Sequence, residues 1–371
     1  MRVALIHDYL TQFGGGERVL KSLSEIFPLA PIYTLVYNKK KVGNIFSSKK
    51  IHTSFLQKLP FSKTHHRIYP SLMPFAIEQF DLSKYDLVIS DSASYAKGVL
   101  TGPETLHISY CHTPLRYAWD DSHRYIREFG LNPLARFLSP FALNYIRIWD
   151  RIASFRVDEF IANSFFVKSR IKKYYQRDAE VIYPPVDTDF YQINPSSSKQ
   201  DYYLIVSRLL SYKKIDIAIE AFNKLKLPLK IVGEGPEEKH LKKISGPTIE
   251  FLGRLSDKKT REYYQNCLAF VFPQEEDFGI APVEAMASGR PVIAYQGGGA
   301  LESVKEGVSG LFFDEQTSEH LIKAIDRFKN YSFEPAKIRE EAKRFDKKVF
   351  EKNIKEFIMK KWSEFKSKDN R

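Results

Sequence analysis

At 371 residues the chain is too long for a single compact core, so two domains are expected. Hydrophobic residues make up 43%, which argues against a disordered chain, and no apolar run reaches the roughly 18 residues of a membrane span. A net charge of +12 leaves three kinds of partner open: nucleic acid, an anionic membrane surface, or a phosphorylated substrate.

The first strand is RVALIHDYL (2–10). Its apolar run of four residues before His7 and Asp8 is too short for a signal peptide or an anchor. Gly14–Gly16 follow, then a helix that places Val19, Leu20, Leu23, Ile26 and Phe27 on one face. Further strands are expected at IYTLVY (32–37), YDLVISD (85–91), LHISYCH (106–112), DEFIANS (158–164) and AEVIYPP (179–185). PPVDTDFYQINPSSSKQD (184–201) is the linker, rich in Pro, Ser and Asp. The pattern then restarts with YYLIVSRL, LKIVGEGP, IEFLGRL, LAFVFPQ, RPVIAYQ and SGLFF, each followed by a helix. Alternating strands and helices imply parallel sheets covered on both faces. The expected architecture is two doubly wound α/β domains, 1–184 and 185–345, facing a cleft. A C-terminal helix, about 346–371, is expected to pack back on the first domain.

Charge is uneven along the chain. Residues 122–177 hold eleven Lys or Arg against four Asp or Glu, interleaved with Tyr125, Phe129, Phe137, Phe141 and Trp149. That mixture suits either an acidic lipid surface or ordinary solvated helix faces. Cys111 and Cys267 are far apart, without ligand spacing, and read as reduced thiols of a cytosolic protein.

The strand-end loops carry the chemistry. Gly14–Gly16 would let a phosphate approach the backbone at a helix start, or simply form a tight turn. No G-x-G-x-x-G and no G-x-x-x-x-G-K-[ST] occurs. His112, in CHTPLRYAWD at the end of the fourth expected strand, is either structural or a group that bonds a sugar hydroxyl or moves a proton. Arg116 and Asp120 beside it favour a polar site. In SRLLSYKK, Arg208 ends a strand and Lys213 and Lys214 open the next helix, a combination that suits a diphosphate. VGEGP (232–236) either admits a flat base or turns the chain. QGGGALE (296–302) again sets glycines before a helix. Asp187-Thr188-Asp189 has an Asp-x-Asp form but sits in the linker and reads as a turn, leaving no metal site.

In EEDFGIAPVEAMASGRPV (275–292), Pro282 fits the first helical position, which puts Glu284 third, with Ala281 as a poor cap. Glu276 lies in the loop before the helix, and Phe278, Gly279 and Ile280 would aim backbone N–H groups at whatever it holds.

These ordered motifs resemble the retaining glycosyltransferases of family 4, which have the two-domain GT-B fold. EEDFGIAPVEAMASGRPVIA looks like the family's E-x7-E element and SRLLSYKK like its Arg-x4-Lys clamp; VGEGP, FLGRL and GGGE match its other loops. CHTPLRYAWD, YPPVDTDFY and QGGGALESV look most like the bacterial O-antigen and capsule branch that uses GDP-mannose. Asp277, Ala281 and Gln274 stand where the family usually has Gly, Pro and Ser. The resemblance implies catalytic roles for Glu276, at the donor sugar, and His112, which orients it. It implies donor binding by Gly15, Gly16, Arg208, Lys213, Gly233, Phe278, Gly279, Ile280 and Glu284, the last at the ribose. No cofactor and no metal are expected, since the two cations neutralise the diphosphate.

The expected protein is a cytosolic, peripherally membrane-attached enzyme. It would move a hexose, mannose from GDP-mannose, to a lipid-linked saccharide in surface polysaccharide synthesis. The alternatives are another donor such as a UDP-hexose, a GT-B sugar-nucleotide epimerase or a phosphorylase. A phosphorylase would normally need a pyridoxal phosphate lysine, and none has a convincing setting. A nucleic-acid binder is suggested by charge alone, without a reading motif.

Overall fold

The computed structural model describes residues 1–65, 68–120, 122, 133–195 and 201–369. Arg124, Tyr125, Arg127 and Phe129 of the basic stretch lie outside the described residues. The chain forms two compact units, Met1–Pro185 with Phe350–Arg371, and Val186–Val349.

The first unit is built on β1 (Val3–Leu10), β2 (Ile32–Tyr37), β3 (Ile51–Thr53), β4 (Leu87–Ser92), β5 (Leu106–Cys111), β6 (Glu159–Ala162) and β7 (Glu180–Val181). They pair in the order β3-β2-β1-β4-β5-β6-β7, and every pairing is parallel. Covered on both faces, such strands read as near-continuous apolar runs. Two details differ from the sequence expectation. Ile51–Thr53, half-buried and preceded by Lys49 and Lys50, adds a strand, so LHISYC is the fifth and not the fourth. AEVIYPP contributes only two residues to its sheet edge. Helix α1 (Gly15–Ile26) begins at the triple glycine, with Gly14 as cap and Glu17 reaching back to it.

Two further helices shape this unit, α2 (Pro133–Phe155) and α3 (Phe165–Tyr175). They meet at Asp150. This fully buried carboxylate is ion-paired with buried Lys97 and accepts from Trp119 Nε1 at 2.7 Å and Tyr175 Oη at 2.9 Å. A buried charge is tolerated only when paired and hydrogen-bonded in this way.

The second unit holds β8 (Tyr203–Val206), β9 (Leu229–Val232), β10 (Ile249–Gly253), β11 (Phe270–Phe272), β12 (Val292–Tyr295) and β13 (Gly310–Phe313), ordered β10-β9-β8-β11-β12-β13. Helix α4 (Ile280–Ala287) follows β11. The last helix, α5 (Lys347–Asp369), returns to the first unit, where Phe350, Ile354 and Ile358 join the core of Leu5, Val19, Leu23 and Ile89. Asp187-Thr188-Asp189 is a turn: Phe190 N–H donates to Asp187 Oδ1 at 2.8 Å, and Asp189 pairs with Lys348 at 2.8 Å.

Candidate active site

In each sheet the strand order reverses once, between β1 and β4 and between β8 and β11. Ligands of doubly wound sheets bind beyond the carboxyl ends of the strands at such a point.

In the first unit, His7 and Asp91 are register partners across β1 and β4. Asp91 is fully buried and both its oxygens are used: Oδ2 lies 2.8 Å from His7 Nδ1, and Oδ1 lies 2.6 Å from His112 Nε2. His7 Nε2 also faces Glu17 Oε1 at 3.8 Å, and Glu17 Oε2 accepts the Gly14 N–H at 2.8 Å. A continuous set of polar contacts thus joins the glycine turn to His112. A side chain at Gly16 would stand 3.4 Å from His112 Nε2, so the turn's backbone and the imidazole are neighbours. Gly15 is the first residue of α1, in the same turn. Arg116 and Asp120 lie farther along, at the two ends of a short helical turn, where Asp120 is tied to Arg170 and Tyr174.

Burial disfavours the charged form of His7, but the hydrogen bonds and charges of Asp91 and Glu17 outweigh it and raise its pKa to about 10. His7 is therefore a cation at neutral pH. Burial acts the same way on His112, and Asp91 reverses it, raising that pKa as well. Asp91 and Glu17 shift down despite their own burial, held ionised by the histidines.

In the second unit the loops after β8 and β11 carry the chemistry. Arg208 is exposed, with Nη2 3.4 Å from Tyr212 Oη. Lys213 ends the 3-10 turn Ser211–Lys213 and is ion-paired with Glu276. Both side chains are largely shielded, at 12% and 17% exposure, so the pair is only weakly screened by solvent.

The glycines around this pair answer to close packing. Gly233 has φ +139°, and a Cβ there would meet Ser207 O at 1.8 Å. VGEGP therefore lies against the backbone that presents Arg208, and Glu234 O accepts the Leu209 N–H at 3.0 Å. Gly298, at φ +58°, could carry no side chain either, because its Cβ would fall 2.3 Å from Glu276 O. Gly299 N–H donates to that same oxygen at 2.8 Å, so QGGG holds the Glu276 loop in place.

The E-x7-E stretch differs from expectation in one respect. Its helix, α4, starts at Ile280 with Gly279 as cap at φ +86°, two residues earlier than Pro282 suggested. Glu284 is then the fifth helical residue and not the third, beyond the free N–H groups of the first turn. It is buried, and Oε2 accepts from Tyr264 Oη at 3.1 Å. Helix capping thus does not explain Glu284. The Phe278 ring is interior, edge-on to Phe345 at 5.2 Å, so anything it offers a ligand comes from its backbone.

Residue spacing did not point to His7, Glu17, Asp91 or Gln274. The available signal for Asp91 was a carboxylate inside an otherwise apolar strand pattern. Gln274, at the end of the β11 run, is 2% exposed and its Oε1 has no hydrogen-bond partner.

Comparison with known proteins places this arrangement. HepE of Anabaena, whose structure was solved with UDP and glucose, superposes over 97% of this chain and 99% of its own, with a TM-score of 0.72 at 20% identity. The fold is therefore that of the GT-B class. The model for Glycosyltransferase Family 4 matches residues 13–190 and that for Glycosyl transferases group 1 matches 187–345, so the chain belongs to glycosyltransferase family 4. The alpha-1,3/1,6-mannosyltransferase ALG2 of Candida glabrata is 28% identical over 53% of this chain and 52% of its own. The GDP-mannose-dependent alpha-mannosyltransferase of Corynebacterium glutamicum is 36% identical over 33% of this chain and 29% of its own. The chain thus spans at most about half the length of these curated relatives.

Proposed function

We propose that this protein is a retaining hexosyltransferase. It moves mannose from GDP-mannose to a lipid-linked saccharide, in bacterial O-antigen or capsule synthesis, at the inner face of the cytoplasmic membrane. The observation that carries this reading is the Lys213–Glu276 pair at the β8/β11 reversal, with Arg208 on the same loop as the lysine. Two cations converging at strand ends suit a leaving diphosphate, and a carboxylate beside them suits the sugar it leaves. The mannosyltransferase relatives support the choice of donor. The motifs CHTPLRYAWD, YPPVDTDFY and QGGGALESV support the bacterial polysaccharide branch.

Lys213 serves as counter-ion to Glu276 before the donor arrives. The diphosphate takes over the ammonium, with Arg208 beside it, so no metal is needed for charge neutralisation. Glu276 then faces the sugar and stabilises positive charge developing at the anomeric carbon. Glu284 accepts from the ribose hydroxyls. The Gly279 and Ile280 N–H groups at the start of α4 add positive potential, as helix N-termini do. Gln274 Oε1, a buried acceptor lacking a partner, takes a sugar hydroxyl. In the first unit, His112 orients the sugar, and Gly15 and Gly16 allow close approach of the backbone.

The test is a thermal-shift screen of GDP, UDP, ADP and CMP with their sugars, since a bound donor stabilises the fold by mass action. GDP and GDP-mannose should raise the melting temperature most. A larger response to a UDP-hexose overturns the donor assignment. Conversion of the donor incubated alone into an epimer overturns the transfer.

A further inference from the structure

Helix α2 is apolar on two opposite sides. Leu143, Ile146, Trp149 and Ala153 are buried in the first unit. Phe137, Phe141, Tyr145, Ile148, Ile152 and Phe155 recur every three or four residues on the other side, all exposed; Phe137 is 69% exposed, Phe141 67% and Phe155 59%. At about 1.5 Å per residue they span about 27 Å of a helix that holds Pro140 between the first two. A turn of Pro70–Leu72 packs beside this helix. Around it Leu72 and Phe75 are exposed, as is Phe61 at 71%, and the Phe75 ring lies 5.8 Å from Phe55.

The charges next to Phe55, Phe61, Leu72 and Phe75 in the chain have one sign: among described residues 54–65 and 68–77, Lys58 and Lys63 are exposed and there is no Asp or Glu. The charged residues of α2 are Arg136, Arg147, Arg151 and Asp150, and the aspartate is buried against Lys97. Of the basic stretch expected to meet a membrane, Arg124 and Arg127 lie outside the described residues and Arg136 is exposed, whereas Arg147 Nε donates to Ala118 O at 2.9 Å, Arg151 to Tyr174 O, and Arg156 to Glu78. What the helix leaves exposed is chiefly its apolar line.

We propose that α2 and the exposed side chains Phe55, Phe61, Leu72 and Phe75 dock on an anionic lipid surface, with the helix lying in the interfacial plane and its apolar line inserted. An exposed apolar strip, with Arg136 exposed on the same helix and Lys58 and Lys63 exposed next to Phe55 and Phe61 in the chain, matches lipid headgroups over acyl chains. A second copy of this chain is disfavoured, because it would bring two like-charged faces together. The proposal rests on the lipid-linked acceptor only for its purpose; binding itself is independent of transfer.

Vesicle flotation tests it, using phosphatidylglycerol mixed with phosphatidylcholine against phosphatidylcholine alone, on the full chain. Wild type should float with the mixed vesicles and severalfold less with the neutral ones. Phe141→Asp combined with Ile148→Asp should lower partitioning about tenfold, since both place a charge where apolar area inserts. Phe61→Ser with Phe75→Ser should lower it severalfold. Both positions on α2 face outward, so the fold and the GDP thermal shift should be unchanged. Equal flotation of the Phe141/Ile148 variant and wild type overturns the proposal. So does a wild-type dimer in solution that this variant dissociates. Failure of every nucleotide to shift the wild-type melting temperature would instead overturn the transferase reading, leaving flotation to decide the docking.

Discussion

The two strand-order reversals hold different kinds of site. In the second unit, Arg208, Lys213, Glu276 and Glu284 come from two short segments, each a contiguous motif after its strand. In the first, His7, Glu17, Asp91 and His112 come from four separate segments, β1, the start of α1, β4 and the end of β5, and meet only in the folded unit. One site is a set of loops presenting charge, while the other is a buried network supporting a single histidine. A loop motif survives in sequence because its residues act together over a few positions. A network spread over a hundred residues has no such trace.

That contrast can be broken experimentally. The largest effect is expected at Asp91. Asp91→Asn leaves buried His7 and partly buried His112 without their shared counter-ion, costing about 3–5 kcal/mol of folding stability in denaturant titration. A cost below 1 kcal/mol would mean the network does not hold this region. Next comes Glu276→Gln, expected to reduce kcat by about a hundred- to a thousandfold. Calorimetry should find its GDP affinity little changed; full activity would remove Glu276 from the chemistry. Glu284→Gln reverses the split. GDP binding weakens about tenfold while kcat at saturating donor changes less, because charge-assisted bonds become neutral ones.

A last effect separates the sites by pH. His7 has its folded-state pKa raised to about 10 from an ordinary 6.5, so the folded chain holds more protons between those values. Its stabilisation is complete below the lower value and is lost as pH rises through the upper one. Melting temperature should therefore fall from pH 7 to pH 10, and His7→Gln should flatten that slope. An unchanged slope would mean that His7 is not held as a cation.

Particular residues show where sequence reasoning stopped. The strand Ile51–Thr53 escaped notice because three residues after a lysine pair carry no usable period. Pro282 misled the start of α4, since proline is also tolerated at the third helical position, where its missing N–H has no intrahelical partner. Gly233, open in sequence to either a flat base or a turn, stands where a Cβ would meet Ser207 O at 1.8 Å, a close approach that only folding creates. The exposed line on α2 was legible only as interleaved aromatics, because periodicity alone does not say which of two apolar faces is buried.

The alternation of apolar runs with helical periodicity was enough to determine two parallel sheets, and E-x7-E with Arg-x4-Lys was enough to indicate a family. Both are local signals: spacing within ten or twenty residues is set by the geometry of a strand, a turn and a helix start. Only the folded chain decided that Lys213 neutralises Glu276, that Glu284 sits beyond the helix cap against Tyr264, and that Asp91 joins two histidines. It also left one face of α2 exposed. Those facts depend on which strands become neighbours, and strand order is settled by burial of the whole core and not by any one segment.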